Sequence, residues 1–238
     1  MAAVNASQDA KSSKVYLQPQ PDPDFGASSS MQDVFKRSVE ACRFFIFRAG
    51  FDWYYHGFVL RDGAWRTPFA ALLNVRDGER ILEVHRRGSC VTADIIPRHR
   101  KTQFTLVDID PPPGAPNTGS VAFEDNRLTC NGGQFDKVIC SMVLHPLSPA
   151  RKLVLLGELR RVLRNGGKLY VADFDAPVEK RQGTILRGLS NKFGFESAAP
   201  HSDGTWTGAV EKAGFTHNKR LQTVPEWHSR VTILRARR

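Results

Sequence analysis

Short apolar runs alternate with segments of helical periodicity from residue 80 to the end of the chain. The runs predict buried strands over residues 80–84, 103–109, 121–123, 135–141, 168–173, 215–224 and 229–237. Leucines recur at helical spacing between residues 149 and 163, which predicts a helix there. This alternation is typical of an α/β protein whose mostly parallel sheet is covered by helices on both faces. The last two strands are expected to form an antiparallel pair.

The first 75 residues have a different character. Residues 1–30 are rich in Ser, Ala, Gln and Pro, which predicts a mobile tail. Residues 31–75 combine a predicted helix over 31–49, an aromatic cluster and a second predicted helix over 68–73, so we expect a helical, aromatic cap on a domain spanning 76–238. The aromatic residues between Trp53 and Phe58 have two interpretations, a lid over an apolar acceptor or a packing patch on the sheet face.

Cysteine usage and apolar run lengths bear on the compartment. No apolar run approaches the roughly 20 residues that cross a bilayer, and the N-terminus lacks the apolar core of a secretory signal. The four cysteines, at positions 42, 90, 130 and 140, show no CxxC spacing, which favours free thiols over disulfides or a metal site. We therefore expect an intracellular, cytoplasmic protein without a membrane span.

The formal net charge of +10 raises the question of a polyanionic partner. The basic residues are dispersed along the chain, and no aromatic spacing typical of an RNA-binding motif accompanies them. Binding to RNA and a basic surface without such a partner both remain open.

Three stretches together resemble the class I S-adenosylmethionine-dependent methyltransferases. Residues 77–84, DGERILEV, resemble the family's opening strand, "pGxrVLEVG", and residues 135–145, FDKVICSMVLH, are similar to "FDvVvssyvLHh". Residues 159–174, LRRVLRNGGKLYVADF, are similar to "lyRVLkPGGrlvvaDf". Within the family, the subgroup with the most similar sequence pattern contains methyltransferase type 11 and quinone-biosynthesis enzymes. The resemblance covers about residues 65–238 and implies a Rossmann-like, seven-stranded sheet.

The resemblance also implies a set of site residues. Asp110, after the second strand, would bind the ribose hydroxyls of S-adenosylmethionine, and Glu83 would orient the loop after the first strand and the methionine end. Glu124 or Asp125 would lie on the adenine side. The remaining implied residues are Gly88 as a loop pivot, Ser141 at the end of the fourth strand, and His145 as the candidate catalytic residue near the acceptor. Each of these residues also has a purely structural interpretation, as a strand-end polar group or a satisfied core histidine.

Two segments depart from the family pattern. The family's "EVGCGTG" loop reads EVHRRGS at residues 83–89, so His85 and Arg87 replace the two glycines nearest the cofactor. Arg86 and Arg87 also place two cations near a sulfonium ligand, which should oppose its binding. The segment 111–120 contains four prolines and cannot form the helix that the family has after its second strand.

Three functions remain compatible with the sequence. The first is methyl transfer from S-adenosylmethionine to a small-molecule acceptor. The second is a catalytically inactive homologue that binds or scaffolds a protein or an RNA. The third is a repurposed enzyme, although the sequence shows no recognisable nucleophile–base pair to support it.

Overall fold

A computed structural model describes residues 50–111 and 121–238. The predicted tail over 1–30, the predicted helix over 31–49 and most of the proline-rich segment lie outside the described residues. The eight strands are β1 (Arg80–His85), β2 (Gln103–Asp108), β3 (Phe123–Glu124), β4 (Arg127–Leu128), β5 (Phe135–Ser141), β6 (Leu163–Phe174), β7 (Thr216–Pro225) and β8 (Arg230–Arg237). From residue 66 onward the α-helices are α1 (Arg66–Leu72), α2 (Pro149–Val162), α3 (Thr184–Phe193), α4 (Phe195–Ser202) and α5 (Thr207–Lys212).

The main sheet has six strands in the order β2-β1-β5-β6-β8-β7. Strands β2, β1, β5 and β6 are parallel, whereas β8 is antiparallel to β6 and β7 is antiparallel to β8. The α/β architecture and the closing antiparallel pair are therefore confirmed. His85 is in register with Asp108 on one side and Ser141 on the other, so the three strands end together at one edge. This carboxyl edge carries the candidate site.

The predicted seven-stranded sheet is wrong by one strand in the described residues. The predicted third strand does not join the sheet; Phe123–Glu124 instead pairs with Arg127–Leu128 in a separate two-stranded ribbon. Asp125 and Asn126, which connect them, have φ values of 47° and 64°. Two successive left-handed residues form a tight hairpin turn, so the chain reverses before a longer strand can form.

Both faces of the sheet are covered. Val138 and Cys140 of β5 pack into one apolar core with α2 and α5, while Ile139 packs into a second core on the opposite face with α1 and α3. This alternation within one strand confirms the predicted helices on both faces. Among the described residues, no helix is long and apolar enough to cross a membrane.

The predicted helix over 149–163 is confirmed as α2. Its first turn begins with Pro149 and is capped by Ser148, whose hydroxyl accepts a hydrogen bond from the backbone of Arg151. Strand β6 begins at Leu163, five residues before the predicted start. Gly166 has a φ of 73°, which lets the chain turn into the sheet without the steric cost that a Cβ would add.

Residues 50–61 are helical and end in a π-helix, Tyr55–Arg61. The aromatic side chains of this region divide between core and surface. Tyr55 and Trp65 are fully buried, whereas Trp53 and Phe58 are 69% and 48% exposed. Packing against the sheet therefore accounts for Tyr55 and Trp65 but leaves Trp53 and Phe58 at the surface.

Candidate active site

The Glu83 carboxylate organises the loop that follows β1. Its Oε1 accepts hydrogen bonds from the Val91 backbone at 2.8 Å and from the Ser141 hydroxyl at 2.6 Å. Its Oε2 accepts from the Thr92 backbone at 2.8 Å, the Thr92 hydroxyl at 2.6 Å and the Cys90 thiol at 3.3 Å. Glu83 is fully buried, so these donors replace the water that a carboxylate needs. The result is a loop fixed to the ends of both β1 and β5.

A second set of hydrogen bonds fixes the turn itself. The Ser89 hydroxyl donates to the Ser141 carbonyl at 2.7 Å and accepts from the Arg86 backbone at 3.0 Å. The Ser89 backbone donates to the Arg86 carbonyl at 2.9 Å. Gly88 has a φ of 78°, a conformation that glycine adopts without the cost paid by other residues. The turn therefore needs Gly88 for its backbone geometry.

Asp110 is paired with the two arginines of this loop. Arg86 donates from Nε and Nη2 to Asp110 Oδ2 at 2.9 and 2.6 Å. Arg87 Nε lies 3.4 Å from the same oxygen and donates to the Asp110 carbonyl at 3.0 Å. Asp108 supports the arrangement, because its Oδ1 accepts from the backbones of Asp110 and Arg87 at 2.9 and 3.3 Å. The acid expected to bind a ribose is thus occupied by this chain's own cations.

A cleft of about 240 Å³ adjoins this ion pair. Asp110, Phe123 and Phe193 contribute to its walls, and the Arg86 guanidinium lies 4.7 Å from the centre of the Phe193 ring. Ligand pockets usually measure roughly 300–1,000 Å³, so the cleft as described is small for a nucleoside. A larger cleft of about 950 Å³ beside α1 contains none of the predicted site residues.

The adenine-side candidates lie at the rim of this cleft. Glu124, at the end of β3, and Asp125, in the turn that follows, are both exposed. Their neighbours Phe123 and Asn126 line the cleft, whereas the two acids do not. The two acids are thus adjacent in sequence to residues that line the cleft.

His145 belongs to a fully buried series of hydrogen-bonded side chains. Its Nδ1 donates to Asp173 Oδ1 at 2.8 Å, and its Nε2 accepts a hydrogen bond from the Tyr55 hydroxyl. Asp173 also accepts from the backbones of Leu144 at 2.7 Å and Phe174 at 2.8 Å. All three side chains of the chain Tyr55–His145–Asp173 are 0% exposed. Both ring nitrogens of His145 are thus engaged inside the protein.

Burial strongly affects the protonation states of Tyr55, His145 and Asp173. It lowers the pKa of His145 and outweighs the opposing effect of Asp173, so the imidazole is neutral. Burial opposes ionisation of Asp173, but His145, His201 and the Phe174 backbone bring the pKa of that carboxyl down to about 2. Burial raises the pKa of Tyr55, which keeps its hydroxyl protonated as the donor.

His56, Tyr54 and His228 are part-buried. Burial, reinforced by Lys192, Arg86 and other nearby charges, lowers the pKa of His56 to about 4, so this ring is neutral near pH 7. The Tyr54 ring lies 5.6 Å from the His228 ring in an edge-on contact. These groups flank the site without forming a nucleophile–base pair with one another.

Sequence reasoning did not predict two features of this site. The pairing of Arg86 and Arg87 with Asp110 follows from the register of β1 and β2, which the loop sequence alone does not reveal. The contact between Tyr55 and His145 joins residues 90 positions apart. The signal for the first was the presence of His-Arg-Arg at residues 85–87, where the family pattern has Gly-Cys-Gly.

Comparisons with known proteins agree with this architecture. Residues 87–171 match the family model described as "Methyltransferase domain". The demethylmenaquinone methyltransferase of Beutenbergia cavernae is 32% identical over 124 residues, which cover 49% of this chain and 49% of that protein. The chain thus matches about half the length of this curated relative.

Two solved structures share the fold at low identity. A 1,6-didemethyltoxoflavin-N1-methyltransferase of Burkholderia thailandensis, with bound 1,6-didemethyltoxoflavin and S-adenosylhomocysteine, aligns with a TM-score of 0.53 at 18% identity, over 81% of this chain and 87% of that one. A SAM-dependent methyltransferase from Aquifex aeolicus aligns with a TM-score of 0.51 at 15% identity, over 80% and 97%.

Proposed function

We propose that this protein binds S-adenosylmethionine at the carboxyl edge of β1, β2 and β5 and transfers its methyl group to a small molecule, because residues 87–171 match the family model described as "Methyltransferase domain". The Glu83 network is the observation that carries the proposal. A buried carboxylate that fixes the loop after the first strand, beside an acid after the second, is the arrangement that the family resemblance implied. Ligands of open α/β sheets bind outside this same edge.

Methyl transfer requires little of the protein beyond alignment of the methyl donor with the acceptor. When bound, S-adenosylmethionine would supply the methyl group of its sulfonium: the acceptor bonds to the methyl carbon as the carbon–sulfur bond breaks in line, S-adenosylhomocysteine leaves, and the acceptor's proton passes to water. Asp110 would hold the ribose hydroxyls, Glu83 and Ser141 would fix the loop, and Gly88 would give that loop its turn. Glu124 and Asp125 would approach the adenine from the β3–β4 turn. Positioning of this kind is a major source of catalytic rate.

The residue types at the carboxyl edge of the sheet fit the cofactor, but the position of the Arg86 side chain does not. Arg86 occupies the Asp110 oxygen that the ribose would need, and the adjoining cleft is small. Binding therefore requires the Arg86 guanidinium to leave Asp110 and the Phe193 ring that covers it to move.

His145 enters this proposal as a positioning residue. Its buried ring links Asp173, at the end of β6, to Tyr55 in the helical segment 50–61. That segment also carries His56 and the exposed Trp53 and Phe58, which we assign to the acceptor side. His145 would thus set the position of the acceptor wall.

Calorimetric titration with S-adenosylhomocysteine tests this function. We expect one binding site per chain, and we expect Asp110→Asn to weaken binding at least about tenfold because the neutral amide is a poorer acceptor for ribose hydroxyls. Asp77→Asn is the matched control, since Asp77 is exposed and pairs with Lys101 at 3.7 Å. Unchanged affinity in Asp110→Asn would refute the assignment of the ribose site.

The occupied state of Asp110 favours one second candidate, an inactive homologue that binds or scaffolds a protein or an RNA. Absence of heat with either S-adenosylmethionine or S-adenosylhomocysteine at millimolar concentration would support it. An RNA partner would add a steep loss of affinity with increasing salt, because phosphate contacts release counterions. A flat salt response would argue against RNA.

A further inference from the structure

We infer that a strip of aromatic side chains docks this protein onto an anionic lipid surface. The aromatic strip consists of five rings, those of Trp53, Tyr54, Phe58, Trp227 and His228. Its tryptophans, Trp53 and Trp227, are 69% and 66% exposed, and Phe58 is also exposed. The inference concerns the surface of the protein and does not depend on whether the cofactor binds.

The five rings form one continuous surface across two segments that are distant in sequence. The ring centres of Trp53 and Phe58 are 5.0 Å apart, and those of Phe58 and Tyr54 are 5.9 Å apart. Tyr54 lies 5.6 Å from His228, which lies 6.2 Å from Trp227. A continuous exposed apolar patch, unlike scattered apolar residues, marks an interaction site.

Basic side chains adjoin the Trp227 end of the aromatic strip. The Arg181 guanidinium lies 4.5 Å from the centre of the Trp227 ring. Lys180 and Arg187 are exposed beside it, and the Lys180 carbonyl accepts a hydrogen bond from Arg187 at 3.4 Å. The His228 carbonyl accepts from the backbone of the second residue of α3 at 3.3 Å. The turn that carries Trp227 is therefore held against this basic segment.

The charge balance includes every acid and base of residues 50–62, 176–193 and 225–230, the segments that carry or contact the strip. The cations are Arg61, Lys180, Arg181, Arg187, Lys192 and Arg230, and the acids are Asp52, Asp62, Glu179 and Glu226. Three of the acids are in ion pairs, Asp52 with Lys192, Asp62 with Arg61 and Glu179 with Arg181. Lys180, Arg187 and Arg230 thus remain against the single part-buried carboxyl group of Glu226.

An anionic bilayer fits this surface better than a small ligand does. Neither of the clefts described above is lined by any of the five rings, so the rings do not form a ligand groove. Tryptophan and tyrosine favour the boundary between water and lipid, because their rings are apolar and carry one polar group. Basic side chains beside such rings gain attraction from anionic headgroups. The aromatic strip and its basic neighbours combine both features.

Tryptophan fluorescence of the full chain with brominated phospholipid vesicles tests this inference. Trp65 and Trp206 are buried, at 0% and 1% exposed, so quenching by bromine on the acyl chains would come from Trp53 and Trp227. We expect quenching by vesicles of equal parts phosphatidylcholine and phosphatidylglycerol. Vesicles of phosphatidylcholine alone should bind at least about tenfold more weakly, because they lack the anionic headgroups.

Co-sedimentation of variants with the anionic vesicles identifies the surface. The double variant Trp53→Ser/Trp227→Ser should bind at least about tenfold more weakly, because it removes most of the exposed ring area. Lys180→Gln/Arg187→Gln should weaken binding at least about threefold. The control Leu153→Ser/Val154→Ser removes two exposed apolar side chains from α2, on the opposite face of the sheet, and should bind as the wild type does.

Thermal melting establishes that each variant is folded. Absence of quenching by the anionic vesicles, or binding that the tryptophan substitutions leave unchanged, would overturn the inference. So would light scattering that shows a dimer in the wild type and a monomer in Trp53→Ser/Trp227→Ser, without lipid binding, because the strip would then join two copies of this chain. Titration with S-adenosylhomocysteine is a separate measurement, so failure of either proposal leaves the other intact.

Discussion

Arg86 and Asp110 form a charged pair in which two guanidinium nitrogens converge on one carboxylate oxygen, at 2.9 and 2.6 Å. Asp110 is the acid that a ribose would need, and Arg86 stands where the pattern EVGCGTG, which this loop resembles, has a cysteine. The pair is shielded by Phe193, whose ring faces the guanidinium. The proposed cofactor site therefore has its framework residues in place and is closed by a side chain of its own loop.

Restoring the family's loop should open the site. Replacing His85-Arg86-Arg87 with Gly-Cys-Gly removes both cations from Asp110 and empties the volume of three large side chains. We expect the affinity for S-adenosylmethionine, measured by calorimetry, to rise at least about tenfold. The positive φ of 22° at Arg87 suits a glycine, so the backbone should tolerate the exchange. No gain in affinity would show that the loop is not the obstacle.

The Glu83 network should dominate the stability of the loop. In Glu83→Gln, the amide nitrogen would face donors that now point at a carboxylate oxygen. We expect the free energy of unfolding to fall by about 2–4 kcal/mol, as for other buried hydrogen-bonded charges. Urea denaturation measures this loss. Glu196→Gln, at an exposed position on α4, is the control and should change stability by less than about 0.5 kcal/mol; a similar small change in Glu83→Gln would contradict the account.

The hydroxyl of Tyr55 should contribute to stability through His145. Tyr55→Phe keeps the ring but leaves the buried Nε2 of His145 without its donor. The expected cost is about 1–3 kcal/mol of unfolding free energy. Tyr54→Phe is the matched control, because this neighbouring tyrosine is only part-buried. Equal stabilities of the two variants would mean that the Tyr55–His145 bond contributes nothing.

Buried histidines should make stability depend on pH. Burial lowers the pKa of His201 to about 4 and lowers that of His145, whereas an unfolded histidine titrates near 6.5. The unfolded chain therefore binds more protons below about pH 6.5, and the free energy of unfolding falls as the pH drops from there towards 4. Each such histidine contributes a slope of about 1.4 kcal/mol per pH unit.

Urea titrations between pH 7 and pH 5 measure this slope. His201→Asn should reduce it by about one proton's contribution. His217→Asn is the control, because His217 is exposed and its φ of 53° is one that asparagine tolerates. Identical slopes in the wild type and His201→Asn would contradict the assignment of a neutral, buried His201.

The sequence predicted the strands and helices that periodicity determines. Strands β1, β2 and β5 and helix α2 lie within one or two residues of their predicted bounds, because burial on both sheet faces imposes long apolar runs. The prediction that the third strand joins the main sheet was wrong, because Asp125 and Asn126 reverse the chain after Glu124. Short apolar runs carry no information about such a turn.

The residues of the proposed site could be named from the sequence, but their contacts could not. The family resemblance identified Glu83 within the first strand and Asp110 after the second. The occupation of Asp110 by Arg86 depends on parallel register and side-chain reach, and the chain from Tyr55 to Asp173 joins residues more than 100 positions apart. Contacts of this range arise from tertiary packing and leave no local pattern.

The resonance of the Arg86 Nε–H group gives the most direct test of competition for Asp110. In the free protein, nitrogen-15 NMR should show this proton protected from exchange with water, and Asp110→Asn should remove the protection. Saturation with S-adenosylhomocysteine should shift the resonance and increase its exchange, because the ligand displaces Arg86 from the carboxylate. An Arg86 resonance unchanged by saturating ligand would contradict the account.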